Sequence, residues 1–245
     1  VEIAALCDPD TALLEHRRHE WGVQTMTPDV GEFLGHSLDA VVIATPNNLH
    51  QGLIQRALSA GCHVLCEKPL GMDLAETISI YQTAAASGKR HMTAFTYRFV
   101  PAMAYLKHLV DTGVLGTIRH ARVQRLQDWG ESAIGWRQYR AQAGLGELGD
   151  MGIHRIDYAE NLMGSIRSVC ASMKQLLPRD QTSDGQTCPP QDVEDWVAWI
   201  AEFATATASA PRASALTKSD SVRNPPVITS VTSLSFRSRW RRARA

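Results

Sequence analysis

Along the first 95 residues, short apolar runs take turns with longer stretches of helical spacing. Residues 1–7 are an apolar run that ends at Asp8-Pro9, and residues 11–21 read as a helix closed by Gly22. Residues 40–44 (AVVIA) are apolar throughout, the pattern predicted for a strand buried on both faces of a parallel sheet. Leu49, Leu53, Ile54, Ala57 and Leu58 follow helical spacing, with Gly61 as the stop. His63–Cys66 is the next strand. Asp73 and Glu76 form a capping box ahead of a helix that carries Ile78, Tyr81, Ala84 and Ala85 and stops at Gly88. Residues 91–95 add another short strand. This βαβαβ rhythm predicts an α/β fold with a doubly wound parallel sheet.

The rhythm changes at Thr96. Residues 101–112 read as a helix ended by Gly113, residues 118–126 as a strand, and residues 129–149 as a stretch rich in Trp, Arg and Gly. Residues 150–163 are predicted helical up to Gly164. Residues 169–176 and 193–203 are predicted strands, separated by a polar loop holding Pro189-Pro190. The expected organisation is a domain over 1–95, an α+β domain with a mostly antiparallel sheet over 96–203, and a tail over 204–245.

Composition places the 245-residue chain among globular proteins, with 44% hydrophobic and 20% charged residues. No apolar run reaches the ~20 residues of a membrane helix, so no membrane partner is expected. A formal net charge of zero lacks the basic field of a nucleic-acid binder. The zero conceals an asymmetry. Residues 1–203 hold 17 Lys+Arg against 24 Asp+Glu, whereas residues 204–245 hold 8 against 1. All 17 glycines precede Ala204, and the chain ends in five arginines around Trp240. This tail could be read as a basic arm for RNA or lipid, but its abrupt onset favours a disordered or frame-shifted segment. Cys7, Cys62, Cys66, Cys170 and Cys188 form no C-x-x-C pair, which fits reduced thiols in a cytoplasmic protein.

Four constellations carry candidate chemistry. Thr45-Pro46-Asn47-Asn48-Leu49-His50 lies where a strand ends and a helix begins, a place suited to a phosphate-bearing ligand and equally to a plain turn. Glu67-Lys68-Pro69 lies at another strand end, where the extended residue before proline would hold an ammonium at the crevice; a solvated turn lysine is the alternative. Asp150, His154 and Asp157 are spaced to share one face of an otherwise apolar helix. Such a stripe suits proton transfer near neutral pH, a satisfied core network, or a carboxylate–imidazole metal site. No His-Glu-x-x-His or Cys cluster supports metal, and none is expected. Asp8 closes the first strand, where an acid can bind ribose hydroxyls or cap the following helix.

Together, AVVIATPNNLH, GCHVLCEKPL and GLGELGDMGIHRIDYAENLMG, in that order, resemble the Gfo/Idh/MocA family of glucose–fructose oxidoreductase and inositol dehydrogenase-like proteins. The weaker TYRF-x-PA and GWR segments fall between them, so the resemblance covers residues 1–203. It implies a Rossmann domain followed by a domain built on a large, mostly antiparallel sheet. It also implies oxidation or reduction of a secondary alcohol on a sugar, polyol or cyclitol, with NAD or NADP. Lys68 would stand beside the reacting hydroxyl, Asp150 would orient the substrate and His154, and His154 would be the general acid/base. Thr45, Pro46, Asn47 and His50 would line the cofactor crevice, with Glu67 near the nicotinamide ribose. Tyr97, Arg98, Trp136 and Arg137 would belong to the substrate pocket. Asp8 is followed by Pro9-Asp10 rather than arginine, so NAD is expected over NADP. The family also implies a homo-oligomer formed through the second-domain sheet. Its first strand and Gly-rich turn are expected upstream of Val1, and more sheet strands after Phe203. The competing functions are a degenerate, non-catalytic sugar-binding or regulatory member, and a metal-dependent isomerase or aldolase using Asp150, His154 and Asp157.

Overall fold

In a computed structural model, residues 2–127 and 134–204 are described in full and residues 228–235 by their backbone. The chain divides into two units, residues 1–94 and 95–245.

In the first unit, β1 (Ala5–Cys7) leads through α1 (Thr11–Trp21) to β2 (Thr25–Thr27), and the two strands pair in parallel. Asp10 is the N-cap of α1 and accepts a bond from the Leu13 N–H, while Gly22 ends it with φ +68°, a conformation a Cβ would strain. After α2 (Val30–Gly35) come β3 (Ala40–Ile43), α3 (His50–Ser59), β4 (His63–Cys66), α4 (Leu74–Ala86) and β5 (His91–Thr93). β3, β4 and β5 form a parallel sheet in that order. Asp73 caps α4 by accepting from the Glu76 N–H, and Glu76 accepts in return from the Met72 N–H, so the box read from the sequence is made one residue wider.

Val41, Ile43, Val64 and Cys66 point into one core with Ile54, Ala57 and Leu58 of α3 and Ile80 and Ala84 of α4. Val42 is paired with Leu65, and Leu65 with Met92, so these three share the other face. Val42 is 69% exposed there. The expectation of a strand buried on both faces is therefore corrected. A continuous apolar run is compatible with two covering layers but does not supply the second, and here α3 and α4 pack on one side.

In the second unit, a 3₁₀ turn over Thr96–Phe99 precedes α5 (Pro101–Asp111), which begins with proline at its first turn. β6 (His120–Gln127), α6 (Arg140–Ala143), α7 (Ile153–Met163), β7 (Ile166–Lys174) and β8 (Trp196–Phe203) follow. A further strand, β9 (Ile228–Ser235), lies inside the sheet, whose order is β6-β9-β8-β7. β9 is antiparallel to β8 and parallel to β6. The expected disordered tail thus does not hold for Ile228–Ser235, whose Ile, Val and Thr content suits a strand although its apolar spacing does not alternate. Residues 205–227 and 236–245, on which the rest of that expectation falls, lie outside the described residues. Val197, Trp199, Ala201 and Phe203 of β8 pack against Ala159 and Met163 of α7.

The helix expected over residues 150–163 is two pieces. Leu148–Gly152 is a π-helical turn, and α7 starts only at Ile153. Asp150 therefore lies in the π-helical turn, while His154 and Asp157 lie in α7. Among the described residues, no helix is long and apolar enough to cross a membrane.

Candidate functional site

Each unit gathers its own set of side chains. In the first, Ile43 and Cys66 are register partners in the parallel β3–β4 pair. Thr45 and Lys68 each stand two residues beyond that pair, at the carboxyl edge of the sheet, where open α/β sheets bind ligands. Thr45 Oγ1 donates to the Pro46 carbonyl at 3.3 Å, and Asn47 is buried in a 3₁₀ turn over Asn47–Leu49 that runs into α3. Glu67 Oε2 accepts from the Lys68 backbone N–H at 3.1 Å, which holds the carboxylate over the turn. The Lys68-Pro69 bond is cis. His50 opens α3 and is 0% exposed. Its Nδ1 lies 2.9 Å from the Pro69 carbonyl and its Nε2 3.1 Å from the Thr45 carbonyl.

Cys66, next to Glu67, is pushed up to about 12 by burial and by the neighbouring carboxylate, which keeps it a neutral thiol and no nucleophile. Asp8 follows β1 and accepts from the Asp10 N–H at 2.9 Å, so Asp10 rather than Asp8 caps the helix. Asp8, Thr45, Asn47, Glu67 and Lys68 thus all stand just past strand ends of this unit. The strand-to-helix turn after β1 reads Asp8-Pro9-Asp10 and contains no glycine.

In the second unit, the Tyr97 ring packs edge-on against His154 with centroids 4.7 Å apart, and Phe95 does so at 6.2 Å. Arg98 grips Asp157 through two nitrogens, Nε at 2.9 Å and Nη2 at 2.6 Å. The bond to Asp157 raises the Arg98 guanidinium above its ordinary range. Arg98, expected in the substrate pocket, is therefore engaged with a buried carboxylate. Arg137 approaches Asp150, with Nε 3.8 Å from Oδ1, and the same guanidinium stacks over Trp136 at 4.4 Å. The structure thus brings Tyr97, Arg98, His154 and Asp157 together, and joins Trp136, Arg137 and Asp150.

Three neighbours escape the sequence reading. Arg125 Nη1 donates to the Tyr97 hydroxyl at 2.8 Å. Arg155 is 6% exposed, donates to the Met151 carbonyl, and lies over the rings of Tyr97 and Tyr158 at 5.6 and 5.9 Å. Burial pushes the Tyr158 phenol up, opposed by Arg155. Arg155 shares α7's apolar face with Ala159 and Leu162, a position that marks a buried cation. Glu194 Oε1 accepts from the N–H groups of Gly146 at 2.9 Å and Leu148 at 3.1 Å, pinning the entry to the π-helical turn. No spacing along the chain foretells that contact. Among the described residues, no group of three or more His, Cys, Asp or Glu is placed to hold a metal ion.

Comparison with known proteins extends this picture. Residues 1–95 match the family model described as an oxidoreductase family with an NAD-binding Rossmann fold. Residues 103–223 match that of the GFO/IDH/MocA C-terminal domain, which continues past residue 203. Levoglucosan dehydrogenase of Pseudarthrobacter phenanthrenivorans is 32% identical over 219 residues, 83% of this chain and 56% of the relative. D-glucoside 3-dehydrogenase of Escherichia coli is 31% identical over 189 residues, 76% of this chain and 54% of the relative. The chain spans about half the length of the relatives it matches. A solved structure of levoglucosan dehydrogenase in complex with NADH and levoglucosan superposes with a TM-score of 0.79 at 28% identity, over 94% of this chain and 57% of that one. With the Rossmann model on the first unit and the C-terminal model on the second, the chain belongs to the GFO/IDH/MocA oxidoreductase family.

Proposed function

We propose that this chain belongs to an NAD-dependent dehydrogenase that oxidises a secondary alcohol of a sugar, polyol or cyclitol. The observation that carries the reading is its likeness, in order and across both units, to a sugar dehydrogenase solved with NADH and its sugar. When bound, NAD supplies the hydride acceptor, so oxidation removes a hydride and a proton from the alcohol. His154 takes the hydroxyl proton, and the edge contact with Tyr97 holds its ring for that purpose. Asp150, placed against Arg137, orients the substrate and His154. The Lys68 ammonium stabilises the developing alkoxide. The Asp8 carboxylate accepts from ribose hydroxyls and repels a 2′-phosphate, which favours NAD over NADP.

The test is NADH fluorescence titration together with NAD turnover on levoglucosan, glucosides, polyols and inositols. Lys68→Ala and His154→Ala should each lower kcat by about 10²–10⁴-fold while changing NADH affinity far less. A folded chain that binds NADH and oxidises none of these would instead be a non-catalytic member of the fold. Equal loss of turnover and cofactor binding in both variants would remove their assigned roles.

The second-unit sheet packs α7 on one face; Leu126 and Ile200 on the other are about half exposed, at 51% and 53%. A second copy of the chain is the proposed cover, read by light scattering, with a monomer at micromolar concentration as the contrary result.

A further inference from the structure

We propose that His50 is a positioning residue: it staples the Thr45 turn to the Lys68–Pro69 turn and so sets where the Lys68 ammonium stands, without touching a ligand itself. The idea deepens the dehydrogenase reading and rests on it for the consequences in turnover.

The geometry is specific. His50 is 0% exposed, so its ring meets no solvent and presents no edge to a ligand. Both ring nitrogens face backbone carbonyls, one from each turn, at 2.9 and 3.1 Å. Those carbonyls lie past the end of the β3–β4 ladder, whose last register pair is Ile43 with Cys66. The Glu67 N–H still reaches the Ile43 carbonyl at 2.9 Å. Beyond that bond, the imidazole bridges the two turns, spanning 19 residues on one side and 5 on the other. A neutral imidazole carries one N–H and donates to one carbonyl; a doubly protonated ring donates to both. Either way, a rigid ring at the first position of α3 fixes the spacing between the two turns. The Lys68 stem begins one residue before one of its anchors. A displacement near 1 Å of a reacting group can cost about 100-fold in rate, so a staple at this place has leverage on turnover.

The experiment uses the full chain with His50→Ala and His50→Gln, each checked for fold by circular dichroism. Limited acetylation with acetic anhydride, read by peptide mass spectrometry, compares Lys68 with Lys174, an exposed residue of β7. Hydrogen exchange follows residues 45–50 and 67–72. Expected are a Lys68 acetylation rate altered at least about threefold relative to Lys174 and faster exchange in both segments. For turnover, kcat falls about 10–100-fold, with a smaller change in sugar KM. Folded variants with wild-type Lys68 reactivity and exchange overturn the proposal.

If neither variant folds, NMR of the ¹⁵N-histidine wild type decides: a slowly exchanging His50 ring N–H supports the staple, and a ring with no protected N–H overturns it. If the wild type neither binds NADH nor oxidises a sugar, the dehydrogenase reading fails, while acetylation, exchange and NMR still judge the staple.

Discussion

Asp157 shows how a residue's role is set by what reaches it. Its side chain is 5% exposed and Arg98's is 46%, so half of the pair is screened by water. Asp157→Asn keeps the shape but removes the charge that Arg98 grips. We expect urea denaturation to show a loss of about 1–3 kcal/mol, below the cost of breaking a fully buried pair. Arg98→Lys should recover little, because an ammonium cannot replace the forked contact. Cys66 gives a second test at this scale. Its folded thiol is raised from 9.0 to about 12, so the neutral form favours the fold. That contribution is fully present below pH 9 and is lost as pH rises toward 12, where the unfolded chain ionises first. The stability gap between wild type and Cys66→Ala should therefore narrow across that window. At pH 8, iodoacetamide should label exposed Cys170 and leave Cys66 intact; equal labelling of both would contradict its burial.

Among elements, the π-helical turn at Leu148–Gly152 depends on the close passage of two backbones. The Glu147 N–H bonds the Glu194 carbonyl at 2.9 Å, and a methyl group at Gly146 would collide with that same oxygen. Backbone cannot swing aside as a side chain can. Gly146→Ala should cost on the order of 3–5 kcal/mol in denaturant unfolding. Gly52 is the opposite case. It lies within α3, exposed, with nothing within 4 Å of an added Cβ. Gly52→Ala should stabilise by about 0.5–1 kcal/mol, and a loss there would mean α3 is not helical in solution. The element boundaries were legible where local chemistry sets them, as at Asp73, Gly22 and His63–Cys66. The π-helical turn was not, since 3.6-residue spacing fits residues 150–163 equally well until Glu194 pins the entry.

For the whole molecule, the two units have separate cores, one around Ile54 and Ile80 and the other around Trp199 and Phe203. If NADH binds the first, mass action stabilises it. At a hundredfold excess over Kd the gain is about 2.7 kcal/mol, visible as a rise in Tm. An unchanged Tm at millimolar NADH would count against cofactor binding by this chain.

The sequence by itself determined the parallel βαβ order of the first unit and the α+β character of the second, along with the segments that carry the family likeness. Those features are written in local periodicity, caps and strand-end motifs, which act over a few residues. Tertiary structure alone decided that His50 faces two carbonyls rather than the crevice, that Arg98 grips Asp157 while Arg137 approaches Asp150, and that Ile228–Ser235 lies between β6 and β8. Each of these joins positions distant in the chain. A side chain's partner there depends on which surfaces packing brings within hydrogen-bond reach, and no local pattern encodes that distance.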